Sequence, residues 1–440
     1  MGSRMLGLLV RTACVVLSLA CVAVDDAAGA SEEEPLQPFK RPPAHAWTGK
    51  ELLLWDGEDG YALDPAENTW RTMARHPAAT VLPSPPKLKW LNDGKALAAY
   101  WGPGPECALY LDSYLPETDS WRRVAAVPAK KLKGSGDPGR VSAIVVVDQK
   151  PIVFFWPRLL ADAPESTAVG VRLDDAGALR FVLGGDQRGV PHDGVYAYRG
   201  KVWCPAGFSW RLWDARSETW EDLAAVQRPF SVRWVFNHCS TGKDIYIFGG
   251  DGGFAVPVYL GDLLVYAFES NEVRELSRAG GPTPRLGAAM CWTGREVVIW
   301  GGLHRIPTEG EIDARTGTYQ RDGGVTNTGG AFDPATAEWT PLPTETAPSP
   351  RFGAACVWTG KEVLIWGGFD QKEGRNVQIY DGAAYDPEKR TWRELPSLVE
   401  YVRKLNDERR NWGHPNPIKP PTKEQFSDLS LEQLVPFAIG

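Results

Sequence analysis

Histidine, cysteine and methionine are scarce in this chain, at six, seven and four of 440 residues. The histidines (His45, His76, His192, His238, His304 and His414) never fall at HxH, HxxxH or HExxH spacing, so no local signal for a metal site exists. No CxxC pair occurs either. Beyond the first thirty residues five cysteines remain: Cys107, Cys204, Cys239, Cys291 and Cys356. They are odd in number and most sit inside strand-like runs, so they read as small buried hydrophobes and not as a disulfide framework. Positive charge is not in excess. The formal net charge of −7 argues against a general nucleic-acid binder, which would be basic. The longest apolar run, Thr12 to Val24, is thirteen residues, and a helix needs ~20 to cross ~30 Å of hydrocarbon. No P-loop and no G-x-S-x-G elbow is present. No cofactor or metal is therefore expected.

That short run does have a reading. Arg4 and Arg11 precede it, and Ala28-Gly29-Ala30 has the small-x-small form of a signal-peptidase site. Residues 1–30 are expected to be a signal peptide. Its removal would leave a mature chain starting at Ser31 in the periplasm, outside the cell or at its surface. A lipid on Cys21 is the alternative, although Ser18-Leu19-Ala20 lacks the usual leucine three residues before that cysteine.

What the chain has in abundance is tryptophan (19), glycine (46) and proline (36). Many short strands joined by tight turns, an all-β protein, account for that mix. Its most informative feature is a copy. Pro284 to Gly302 returns 66 residues later as Pro350 to Gly368, identical at fourteen of nineteen positions. A fixed repeat of this size marks a closed ring or a stacked array. In each copy a strand leads into Trp-Thr-Gly and a second strand ends in Trp-Gly-Gly. A third ends in Asp-Pro, and a fourth carries a tryptophan, as at Trp392. Four antiparallel strands repeated at ~50 residues is the pattern of a propeller blade.

These motifs, with Asn327-Thr328-Gly329-Gly330 before Phe332-Asp333-Pro334, resemble the Kelch repeats of bacterial secreted proteins. The resemblance implies a Kelch-type β-propeller whose first strands line the central channel and whose fourth strands lie outermost. Weaker copies extend backward through Trp47-Thr48-Gly49, Tyr100-Trp101-Gly102, Phe155, Val202-Trp203 and Ile247-Phe248-Gly249-Gly250. The count is seven four-stranded blades, with six as the alternative because the third and fourth copies lack the double glycine. The propeller is expected over residues 40–396. A tail over 397–440 follows, with helical spacing at Leu398, Tyr401, Val402 and Leu405 and then a Pro-rich stretch.

Aligning the copies puts Arg285 and Arg351 level with Arg233, Arg140 and Lys40. A ring of cations at one channel mouth would draw a carboxylate, sulfate or phosphate. The competing reading pairs each arginine with a neighbour or lays its stem on an apolar rim. Loops between second and third strands should open on the same face, bringing Phe254, Tyr259, His304, Arg305, Glu309, Glu311, Asp370 and Arg375. The candidate ligand-binding set is thus Lys40, Arg140, Arg233, Arg285, Arg351, His304 and Asp370. The expected role is an exported binding module, acting as a monomer on a protein or an anionic glycan, with no nucleic-acid partner and no membrane span. The alternative is a carbohydrate-active enzyme, an epimerase or oxidase, on the same scaffold. Catalytic residues are not assigned. Glu309 or Glu311 with Arg285 is the pair an epimerase would use, and no motif assembles the two His, two Tyr and Cys of a Kelch-type oxidase.

Overall fold

A computed structural model describes residues 36–411, apart from 78–81, 83, 92, 103–107, 129–139, 156–167, 174–178, 184–193, 207–208, 224–232, 234–235, 253–258, 308–319 and 373–374. The expected leader (1–30), Cys107, Phe254, Glu309, Glu311 and the end of the tail lie outside the described residues.

Described in this way, the chain is all-β with one helix. Seven four-stranded antiparallel sheets follow one another, built from consecutive strands except in the sixth and seventh, where an extra strand pair intervenes between the second and third strands. The first comprises Ala44–Trp47, Leu52–Trp55, Gly60–Asp64 and Thr69–Thr72. The seventh comprises Ala355–Trp358, Val363–Trp366, Gly382–Asp386 and Thr391–Glu394. The second strands of the first, sixth and seventh sheets, Leu52–Trp55, Val297–Trp300 and Val363–Trp366, are buried at every position. Both faces of each sheet are covered, so these strands are apolar runs and show no in-out alternation.

The turns follow from the motifs. In Trp-Thr-Gly the threonine Oγ1 accepts from the backbone NH three residues on, as in Thr293 with Glu296 (3.0 Å) and Thr359 with Glu362 (2.9 Å). In Asp-Pro the aspartate does the same work: Asp64 Oδ1 accepts from Ala66 and Glu67 NH, and Asp386 Oδ1 from Glu388 and Lys389 NH.

Seven apolar clusters lie between consecutive sheets, one per pair. Leu97, Trp101, Val153 and Phe155 join the second and third sheets, for example, and Phe248, Val265, Ile299 and Phe332 the fifth and sixth. The last cluster joins the seventh sheet back to the first, through Leu364 and Trp366 on one side and Leu52 and Leu54 on the other. The ring therefore closes with no strand shared between its ends. Phe39 and the helix Leu398–Asn411 complete this seam, with Leu398 and Val402 fully buried in it.

The outer tryptophans add a second tie. Trp121, Trp220, Trp339 and Trp392 each donate Nε1–H to a backbone carbonyl at or just beyond the end of the outer strand of the preceding sheet, at Ala74, Leu183, Ser277 and Pro343, over 2.7–2.9 Å. Trp70 makes the equivalent bond across the seam, to Pro396 at 2.8 Å.

Candidate functional site

The aligned arginines do occupy equivalent places. Arg233, Arg285 and Arg351 each donate from NH1 to the carbonyl of the glycine sixteen positions later, Gly249, Gly301 and Gly367. All three are buried, however, and apart from Arg233 Nε, which has no partner, their donors are engaged. Arg285 bonds Thr283 O and Oγ1 and Thr328 O and Oγ1. Arg351 bonds Ser349 O and Oγ, Asp381 O, and Asp381 Oδ1 at 2.7 Å. Arg233 makes a two-pronged ion pair with Asp262 at 2.6 and 3.2 Å. Burial pulls the Arg285 guanidinium down to about 10, so it still carries its charge at neutral pH.

Backbone bonds show what the arginines accomplish. The Arg285 carbonyl accepts from Gly250 NH of the fifth sheet, and the Arg351 carbonyl from Gly302 NH of the sixth. Arg285 and Arg351 thus each hold their own sheet by the side chain and the preceding one by the backbone. The expectation of guanidinium groups facing a ligand is corrected for these three: the guanidinium groups are buried inside the wall, bonded to its carbonyl, hydroxyl and carboxylate oxygens. Lys40 follows the same register, its NH donating to Asp56 Oδ2 at 3.0 Å while its ammonium pairs with Glu58 at 2.5 Å. Arg140 is half-buried and also has a partner.

His304 and Asp370 lie elsewhere, in an extra layer. His304, in Leu303–Pro307, stands opposite Arg285 in a small sheet of Arg285–Leu286, Leu303–Pro307 and Gln320–Val325. Asp370 belongs to a hairpin of Phe369–Lys372 and Arg375–Gln378. Asp251 and Tyr259 form a matching bridge on the fifth sheet. Beneath these additions Tyr259, Leu286, Leu303, Phe352 and Phe369 form a separate apolar cluster. The second-to-third-strand connections of the fifth, sixth and seventh sheets therefore stand on their own core. Their tip exposes Gln371, Lys372, Arg375 and Val377, the last 41% accessible. Asp370 is partly buried, capping Gln371 NH at 2.8 Å with Lys372 at 3.6 Å.

One cation was not found by aligning the copies. Lys89 lies in the inner strand Lys87–Leu91 of the second sheet. Its side chain is exposed although protein surrounds it. Desolvation alone lowers its pKa, with no carboxylate among the described residues to offset it. Neighbouring His45, on the inner strand of the first sheet, is buried. Burial, with Lys87 and Lys89 nearby, holds its imidazole down to about 4, so it is neutral at pH 7. His45 also lines a small cavity at the seam, with Pro42, Pro43, Trp366, Phe369 and Gln378. His45 Nε2, Trp366 Nε1 and Gln378 Oε1 have no protein partner. The signal for Lys89 was the pair Lys87 and Lys89 two apart on an inner strand.

The comparisons with known proteins agree with this architecture. The model of the KLHDC2/KLHL20/DRC7 Kelch-repeats domain matches residues 181–404, half of the chain, and the chain belongs to the Kelch-repeat family. It is 34% identical over 147 residues to the Rho GTPase-activating protein gacHH of Dictyostelium discoideum, covering 32% of this chain and 9% of that protein. It is 23% identical over 245 residues to the N-(sulfonatooxy)prop-2-enimidothioate sulfolyase of Thlaspi arvense, covering 52% of this chain and 65% of that protein. The chain thus spans less than two thirds of either relative. Kelch domains typically mediate protein interactions, and no helix among the described residues is long and apolar enough to cross a membrane.

Proposed function

We propose that this protein is an exported protein-binding propeller, and that its partner docks on the face raised by the fifth, sixth and seventh sheets. The single observation carrying this reading is the extra β layer there, supported by the cluster of Tyr259, Leu286, Leu303, Phe352 and Phe369. Ring closure does not require such a layer. Binding groups concentrate on connections held by a rigid scaffold, and the hairpin tip offers Lys372, Arg375 and exposed Val377 in one place. The partner's complementary group is anionic, an acidic side chain or a charged sugar. Lys89 supports this, as an ammonium without a carboxylate on the channel side. Export rests on the leader pattern of residues 1–30.

The test is to replace Asp370–Val377 by a two-glycine turn and compare proteins retained from a native extract by the variant and by the unaltered chain. Selective loss of retained proteins at unchanged melting temperature supports the reading, and identical retention contradicts it. Turnover of a sugar or of a sulfate-bearing small molecule by the purified protein would favour the enzymatic alternative.

A further inference from the structure

Two thiols face each other across the joint between the sixth and seventh sheets. Cys291 lies in the inner strand Ala289–Trp292, and Cys356 in the inner strand Ala355–Trp358. Strand alternation sets their directions. Cys291 and Ala289 share the cluster between these two sheets, while Met290 packs back toward the fifth. Cys356 and Trp358 pack into that same cluster from the other side, while Val357 turns toward the first sheet. The two side chains therefore converge from adjacent inner strands, close enough for the Cys291 thiol to act on that of Cys356. Both are free, Cys291 buried and Cys356 partly accessible.

We propose that Cys291 and Cys356 are a dithiol that a small-molecule disulfide such as oxidised glutathione converts to a disulfide, pinning the sixth sheet to the seventh at the channel wall. The Cys356 thiolate attacks one sulfur of the oxidant, forms a mixed disulfide and expels one reduced thiol. The Cys291 thiolate then attacks the protein sulfur of that mixed disulfide and expels the second. Two protein thiols are oxidised, one disulfide is reduced to two thiols, and the protons lost from cysteine end on the leaving thiolates. Cys356 comes first because it is the more accessible. The neighbouring Cys291 thiol and burial hold its pKa well above the ordinary thiol value, so exchange is slow at neutral pH and accelerates as pH rises. The bridge joins residues 65 positions apart and lies at the face-to-face joint, so it restrains the unfolded chain and the separation of two sheets alike.

The folded full chain is incubated with oxidised glutathione at pH 8, quenched with N-ethylmaleimide and mapped without reduction. The expected result is a peptide pair linked through Cys291 and Cys356, with a melting temperature raised by a few degrees and restored by dithiothreitol. Cys291→Ser should leave glutathione on Cys356 and no rise. Two outcomes overturn the proposal. Both thiols stay alkylatable after unfolding, although a dithiol peptide in the same buffer is oxidised; or Cys291 is found linked to Cys239, the third inner-strand thiol nearby.

Discussion

The indole Nε1 of Trp70 donates to the carbonyl oxygen of Pro396 at 2.8 Å, joining two residues 326 positions apart. The first sheet is thereby bound to the chain leaving the seventh, in the same way that each outer tryptophan binds its sheet to the one before. Around it, Arg393 reaches Pro65 O at 2.9 Å, and Trp70 meets the Trp366 ring at 5.8 Å, edge to face. Trp70→Phe keeps most of the apolar surface and removes the donor. A loss of about 1–2 kcal/mol follows, read by urea unfolding.

The C-terminal helix is a clasp on the same seam. Leu398 and Val402 are fully buried against Phe39, Leu63 and Leu395. Leu398→Ala is expected to cost about 3 kcal/mol. Hydrogen exchange should speed up first in Ala44–Trp47 and Ala355–Trp358, the inner strands of the two joined sheets. Uniform acceleration round the ring would argue that the helix stabilises the ring generally and not the seam.

Two glycines with left-handed backbone separate strain from crowding. Gly294, in the Trp-Thr-Gly turn, has φ +89° and open space where a Cβ would stand. Gly249 has φ +63°, and a Cβ there would run into the carbonyl oxygens of Arg285 and Leu260. Gly294→Ala should cost about 1 kcal/mol, the conformational term alone. Gly249→Ala should exceed about 3 kcal/mol, because it forces apart the backbone joint between the fifth and sixth sheets. Chemical denaturation of the pair checks the ordering.

Acid stability carries the signature of His45. Its folded pKa of about 4 lies below the ordinary 6.5, so the unfolded chain takes up the proton more readily. Stability is lost as pH falls from about 6.5 toward 4, amounting to about 2 kcal/mol between pH 7 and pH 5. Asp59 acts oppositely. Burial and the neighbouring Asp56 and Glu58 raise it to about 6, so its contribution is present below the unfolded value near 4 and lost as pH rises through 6. His45→Gln should therefore flatten the acid loss and Asp59→Asn steepen it, in urea titrations at pH 5 and pH 7.

Much of this scaffold was legible because its signals are local. The Trp-Thr-Gly and Asp-Pro turns depend on side chains bonding the backbone two or three residues on, and Trp121 or Trp220 could be aligned with Trp392 by spacing. The role of Arg285 was not legible. Its alignment with Arg351 was readable, but its partners Thr328 and Gly301 come into reach only when the sheet folds, and a buried guanidinium and a ligand-facing one look alike in a sequence. The helix could be read from Leu398, Tyr401 and Val402, whereas its service as a clasp depended on where Phe39 and Trp366 meet. Lys89 went unread because its distinction is the lack of an acid neighbour, which only three-dimensional placement reveals.

The central claim is that a partner docks on the hairpin face, and lysine cross-linking of a captured complex tests it most directly. Lys372 lies on the hairpin of the seventh sheet, whereas exposed Lys50, Lys243 and Lys361 lie on the first-hairpin turns at the opposite ends of the strands. Cross-links from the partner to Lys372, and none to Lys50, Lys243 or Lys361, are the predicted result. Cross-links concentrated on those three turns would contradict the account.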